Sequence, residues 1–217
     1  MTLDSQARQQ MITQQLRCWS VLDNRVLNTM TTMPRELFIP PAYRDLAFAD
    51  TSIPLENGQS ILAPKIEGRL LQAMEIQPND QVMFVGANNG FLLACAAKLG
   101  RQVHCFEANA ELAAHARRNL LAAAINNVSI NEQDDAQLSD GAMYDAILIS
   151  GSLPTYDMRY ERALKHGGRL VMITGNSPVM QVFKVFRQGE NQWQREILFE
   201  TDIAPLPFAT KRSAFVF

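Results

Sequence analysis

Gly86 and Gly90 bracket a short turn, Ala87-Asn88-Asn89, directly after the apolar run Gln81–Val85. Glycine lets the backbone take up positive φ and lets a ligand come close. Asn88 or Asn89 also tolerates the left-handed region. The residues after Gly90 read as a helix, whose first turn carries N–H groups with no partner inside the helix. A turn of this kind, at the carboxyl end of a strand, can cradle a nucleotide. Glu107 follows Gly86 by 21 residues, at the end of the next apolar run. In this architecture a carboxylate about 20 residues past the turn accepts from ribose hydroxyls. Asp134 and Asp135 follow the third run, where an adenine amino group would be met. The turn departs from Gly-x-Gly-x-x-Gly, so a plain tight turn with a solvated Glu107 stands as the alternative.

These residues need a scaffold, and the hydrophobic pattern describes one. Ile12 and Leu16, then Val26, Leu27 and Met30, follow helical spacing. Asp23 suits the N-cap of the second helix. Pro34, Pro40, Pro41 and Pro54 break residues 34–64 into loops and short turns. A connection this long in a compact domain is often functional. Ile66, Leu70 and Met74 mark a helix after Pro64. Gln81–Val85, Gln102–Phe106, Val128–Asn131, Tyr144–Ser150 and Arg169–Thr174 read as strands. Phe91–Leu99, an alanine-rich stretch near 110–124, and residues 155–164 read as the helices between them, the last ending at Gly167-Gly168. That alternation predicts a parallel sheet covered on both faces.

After Pro178 the pattern becomes β-rich. Val179–Phe186, Gln192–Phe199 and Ser213–Phe217 read as strands, with a hairpin turn at Arg187–Asn191. The expected fold is α/β: a doubly wound, mostly parallel, Rossmann-like sheet with an N-terminal helical cap and a C-terminal antiparallel β edge. One domain is expected over 1–217, with the cap at 1–63, the nucleotide-binding βα core at 64–178 and the β-rich edge at 179–217.

The bulk composition narrows the function classes. The chain has 217 residues, 47% hydrophobic and 19% charged, which suits one sizeable core and argues against disorder. A net charge of −2 gives no electrostatic footprint for nucleic acid or an anionic membrane. No run approaches the roughly 18 apolar residues of a membrane span. The polar, glutamine-rich stretch Met1–Arg17 lacks the apolar core of a signal peptide, so a cytoplasmic protein is expected. Cys18, Cys95 and Cys105 are odd in number and widely spaced, and are expected to be packing residues. His104, His115 and His166 lack ligand spacing, and no metal is expected. Met33, Met74, Met83, Met143 and Met172 are expected to fill the core, and Arg117-Arg118 to face solvent.

Three ordered segments in the cap carry a resemblance: Met33-Pro34-Arg35-Glu36-Leu37-Phe38-Ile39-Pro40, Ala47-Phe48-Ala49-Asp50 and Gly58-Gln59-Ser60-Ile61-Leu62-Ala63-Pro64. They resemble the VPRE-x-FVP, AYAD and GQTISQP blocks of the protein-L-isoaspartate O-methyltransferases. Arg17, Asp23, Val82–Gly90, Glu107, Asp134, Tyr144-Asp145-Ala146-Ile147, Gly167-Gly168-Arg169-Leu170-Val171 and Ala204-Pro205-Leu206 extend the likeness over nearly the whole chain. The resemblance implies a class I methyltransferase sheet and S-adenosylmethionine as cofactor. It implies methyl transfer to the α-carboxylate of L-isoaspartyl residues in damaged peptides or proteins. The cofactor would meet Gly86, Asn88, Gly90, Glu107 and Asp134.

Departures from the family pattern fall at the site. Phe84 stands at an acidic position, Asn88 at the middle glycine of the turn, Ser60 at the threonine of the third block, and Leu62 at its serine. A carboxylate nucleophile, with a pKa of about 4, is already ionised at neutral pH and needs no general base. Catalysis is then chiefly orientation. If the loop is extended, Ser60 and Leu62 share a face, and Ser60 can supply the hydroxyl that orients the substrate carboxylate. Two other readings follow from the altered positions: a binding or regulatory protein on the same fold, or a methyltransferase with another substrate.

Overall fold

The computed structural model describes residues 3–55, 58–133, 141 and 143–207. Helix α1 (Leu3–Gln10) runs into a π-helical turn, Met11–Leu16, and a 3-10 turn, Arg17–Trp19. Met11, Ile12 and Leu16 are buried, and the five-residue step from Met11 to Leu16 is the wider π spacing. Asp23 caps α2 (Asn24–Thr32), accepting from the Arg25 N–H. Residues 34–64 form 3-10 turns at Arg35–Phe38 and Pro41–Leu46, and a minimal antiparallel pair, β1 (Ile53–Pro54) with β2 (Ser60–Ile61). Pro64 starts α3 (Pro64–Met74), its missing N–H costing nothing in the first turn.

The sheet is built from short apolar runs punctuated by loops. Strands β3 (Gln81–Val85), β4 (Gln102–Phe106) and β5 (Val128–Asn131) alternate with α4 (Phe91–Leu99) and α5 (Ala110–Ala122). Then follow β6 (Tyr144–Leu153), α6 (Met158–Arg162), β7 (Leu164–Asn176), β8 (Val179–Gly189) and β9 (Gln192–Thr201). The seven strands lie in the order β5-β4-β3-β6-β7-β8-β9. The first five in that row are parallel, and β8 and β9 pair antiparallel as the C-terminal edge. The expected class I methyltransferase architecture is the one observed.

Successive residues of β3 serve opposite faces. Val82 and Phe84 join the larger core with Met30, Leu70 and Phe91. Met83 and Val85 join the second core with Ile147, Tyr160 and Leu164. Met83 pairs with His104 on one side and Ile147 on the other. The turn after Val85 therefore leaves the middle of the sheet.

Several expectations need correction. The helix expected over 155–164 is only the five residues of α6, and β7 starts at Leu164 and passes through Gly167-Gly168. Tyr144 pairs with Leu164 and Ala146 with Arg169, so the residues between bulge out and mimic a helix end in sequence. Cys18 is exposed rather than packed, while Cys95 and Cys105 are buried. Met143 is 48% exposed rather than in the core. The strand expected at Ser213–Phe217 lies outside the described residues. Among the described residues, no helix is long and apolar enough to cross a membrane, and no group of His, Cys, Asp or Glu gathers to hold a metal.

Candidate active site

The chain leaves β3 through three left-handed residues in five: Gly86 at φ 93°, Asn88 at 50° and Gly90 at 89°. The Gly86 N–H donates to the Phe106 carbonyl at 2.8 Å, tying the turn to β4. A Cβ at Gly86 would lie 2.4 Å from Ser150 Oγ and 3.0 Å from Leu206 Cδ2. Both the angle and the space at this position demand glycine.

Asn88 manages the left-handed conformation as asparagine can. Its Oδ1 accepts from the Asn89 N–H at 2.8 Å. Its Nδ2 crosses to the cap and donates to the Ser60 carbonyl at 2.7 Å. The asparagine at a glycine position thus joins the turn to β2. Asn89 is 5% exposed and extends the joint. It accepts from the Phe91 N–H and donates to the Phe38 carbonyl, while its own carbonyl takes the Asn119 amide.

Glu107 is 4% exposed, and its carboxylate faces the turn. Oε2 accepts from the Ala87 N–H and Oε1 from the Asn109 N–H, both at 2.8 Å. A carboxylate has about four acceptor sites, so two remain for a pair of hydroxyls. A left-handed turn with a fixed carboxylate at its side is the arrangement an adenosyl group requires, and these residues fit that group. Phe84 is wholly buried in the core, so its replacement of an acid deletes a charge without filling the turn. Asp134 and Asp135 lie outside the described residues.

Ser60 pairs with Pro54 across the β1–β2 ladder and is half-buried. Among the described residues its hydroxyl has no hydrogen-bond partner. The extended stretch covers only Ser60–Ile61, and Leu62 packs in the main core. The structure therefore brings Ser60, Asn88, Gly86, Gly90 and Glu107 to one end of the sheet.

Other residues hold this arrangement, and sequence spacing did not reveal them. Arg35 is fully buried. Its guanidinium pairs with Glu67, donates to the Ala47 carbonyl at 2.8 Å and the Leu62 carbonyl at 3.0 Å, and lies 4.9 Å from the Phe91 ring centre. One side chain thus ties together all three cap segments. Burial pushes the Glu67 carboxyl up to about 7, with Arg35 pulling it back. The hydroxyl of Ser150, at the expected end of β6, reaches the Val85 and Gly86 carbonyls. Ala204–Leu206 lies along β6, with the Ser152 N–H donating to Ala204 O and the Leu206 N–H to Ser152 O. Gln59 Nε2 donates to the Pro205 carbonyl at 2.9 Å, closing the cap loop onto that segment. An end-of-strand serine was the readable signal for Ser150; a lone arginine in a proline-rich loop signals nothing of its burial. A cleft of about 600 Å³ opens beside the turn, between the cap and α5, with Asn88 and Asn89 at one end.

Known proteins resemble this chain along most of its length. The family model described as protein-L-isoaspartate(D-aspartate) O-methyltransferase matches residues 6–209. The protein-L-isoaspartate O-methyltransferase of Koribacter versatilis is 38% identical over 200 residues, covering 92% of this chain and 90% of that protein. A protein-L-isoaspartate O-methyltransferase 2 from Pelobacter propionicus is 34% identical, covering 92% and 89%. Among solved structures, one from Plasmodium falciparum, described as a protein-L-isoaspartate O-methyltransferase in complex with S-adenosyl-L-homocysteine, superposes with a TM-score of 0.77. It is 19% identical and covers 92% of this chain and 97% of that one.

Proposed function

The chain belongs to the protein-L-isoaspartate(D-aspartate) O-methyltransferase family, and from that premise we propose how its residues divide the work. It is an S-adenosylmethionine-dependent enzyme that methylates the α-carboxylate of L-isoaspartyl residues in proteins. The observation that carries the reading at the site is the Glu107 carboxylate, held against the turn by the Ala87 N–H.

S-adenosylmethionine, when bound, supplies a methyl group on a positively charged sulfur. Gly86 and Gly90 would let the backbone approach it, and the free acceptor sites of Glu107 would take its ribose hydroxyls. Asp134, in the segment after β5, is the candidate for the adenine amino group. The substrate carboxylate is ionised at neutral pH, so no residue here must remove a proton from it. Ser60 would donate its hydroxyl hydrogen to that carboxylate and orient it. Asn88 would set the position of Ser60 by holding its carbonyl. Leu62, buried in the core, takes no part. The reaction then rests on alignment of two reactants. The chain is further read as one domain, with cap, core and edge as divided above, working in the cytoplasm.

The test is methyl-ester formation on an isoaspartyl peptide, with the ordinary aspartyl peptide as control. Wild type should methylate the first and spare the second. Ser60→Ala should lower kcat/KM by about 10- to 150-fold, the worth of one hydrogen bond to a charged group, at unchanged affinity for S-adenosylhomocysteine. An unaltered rate in that variant removes Ser60 from the mechanism. No ester with any isoaspartyl peptide would overturn the substrate assignment.

A further inference from the structure

The cleft between the cap and α5 is walled by neither Gly86, Glu107 nor Ser60, so it is a separate space beside the reacting groups. It is nevertheless continuous with them through shared elements. Asn88, which holds the Ser60 carbonyl, forms part of its wall. Pro54 and Leu55 form another part. Pro54 is the ladder partner of Ser60, and the Leu55 N–H donates to the Gln59 carbonyl at 2.8 Å. Residues bonded to or paired with Ser60 therefore also wall this cleft.

The lining favours an anion on an apolar bed. Leu37, Pro41 and Tyr43 supply apolar surface from the cap. Arg44, on the cap side, and Arg118, on α5, are both exposed, and neither guanidinium has a hydrogen bond or ion pair among the described residues. Their setting makes this notable: the neighbouring Arg117 is paired with Glu132, and Arg8, also in the cap, with Glu36. Among the described lining residues Glu111 is the one acid, and His115 and Tyr43 are the remaining titratable groups. The described lining thus sets two guanidiniums against one carboxylate, in a chain whose net charge is −2.

We propose that this cleft docks the acidic stretch of polypeptide flanking the isoaspartyl residue, with Arg44 and Arg118 reading its carboxylates. The proposal rests on the isoaspartyl reading above. It makes flanking charge a determinant of which damaged proteins are recognised. Exposed charge pairs are individually weak and screened by salt, so the preference should be modest and should fade as ionic strength rises.

The experiment is fluorescence anisotropy at low salt, with S-adenosylhomocysteine present. It uses two labelled isoaspartyl peptides, one flanked by glutamates and one by glutamines. Wild type should bind the glutamate peptide about fivefold more tightly. The R44A/R118A double variant should bring the two within about twofold of each other, leaving the glutamine peptide's affinity unchanged. Equal affinities in wild type, a preference that survives the double variant, an equal loss for both peptides, or no binding of either peptide would each overturn the proposal. Methylation of the glutamine peptide is scored separately. A charge preference without ester formation would refute the assigned reaction while leaving the docking cleft standing.

Discussion

At the scale of the residue, Asn88 shows how a substitution can alter the work of a position without closing it. A side chain stands where the family pattern has glycine. It turns across to the Ser60 carbonyl, and the backbone keeps the left-handed conformation that glycine would have. Asn88→Gly should keep that backbone and lose only the two side-chain bonds, to the Ser60 carbonyl and from the Asn89 N–H. Asn88→Ala loses the same bonds and also places an ordinary L-residue at φ 50°. The alanine variant should therefore be less stable than the glycine variant by about 1–2 kcal/mol in urea denaturation. Equal stabilities would show that the turn relaxes when its side chain is removed. The carboxylate of Glu107 was legible from spacing alone, whereas the bond between Asn88 and Ser60 was not. That bond joins residues 28 apart in sequence, and no local pattern specifies it.

At the scale of the element, legibility followed the length of the apolar run. β3, β4 and β5 are short and bounded by loop residues, and their limits agree with the pattern. β6 and β7 are longer, and β7 carries a bulge whose paired glycines look like a stop signal. The cap was readable only as a region broken by prolines, because its order comes from one buried guanidinium. Arg35 holds the Ala47 and Leu62 carbonyls and pairs with Glu67 on α3, so the turns of the cap depend on it jointly. Arg35→Ala should cost about 3–5 kcal/mol in chemical denaturation, the range for breaking a buried ion pair. Arg35→Lys should recover little of this, since an ammonium cannot present the planar fork that meets three acceptors. Full recovery by lysine would mean that charge alone, not the fork, organises the cap.

At the scale of the whole molecule, the same buried pair links folding to pH. Burial raises the Glu67 carboxyl from its ordinary 4.5 to about 7, against the pull of Arg35. The folded chain therefore keeps a proton that the unfolded chain releases above pH 4.5. Stability from this group is fully present below pH 4.5 and is lost as pH rises through about 7. Glu67→Gln carries no ionisable group there. The stability of wild type relative to this variant should fall between those pH values, by at most about 1.4 kcal/mol per pH unit. Parallel urea titrations of the two proteins check this, and a difference that stays flat would show that Glu67 does not change its protonation on folding. The global arrangement has one more consequence. Leu206 lies against Gly86 and Gly151, and Gln59 grips Pro205, so the latest-made part of the described chain roofs a turn completed more than a hundred residues earlier. During vectorial synthesis the sheet can assemble as its strands emerge from the ribosome, yet the enclosure around the turn must wait for Ala204–Leu206. A nascent chain arrested before that segment would have the scaffold of the enzyme without its finished chamber.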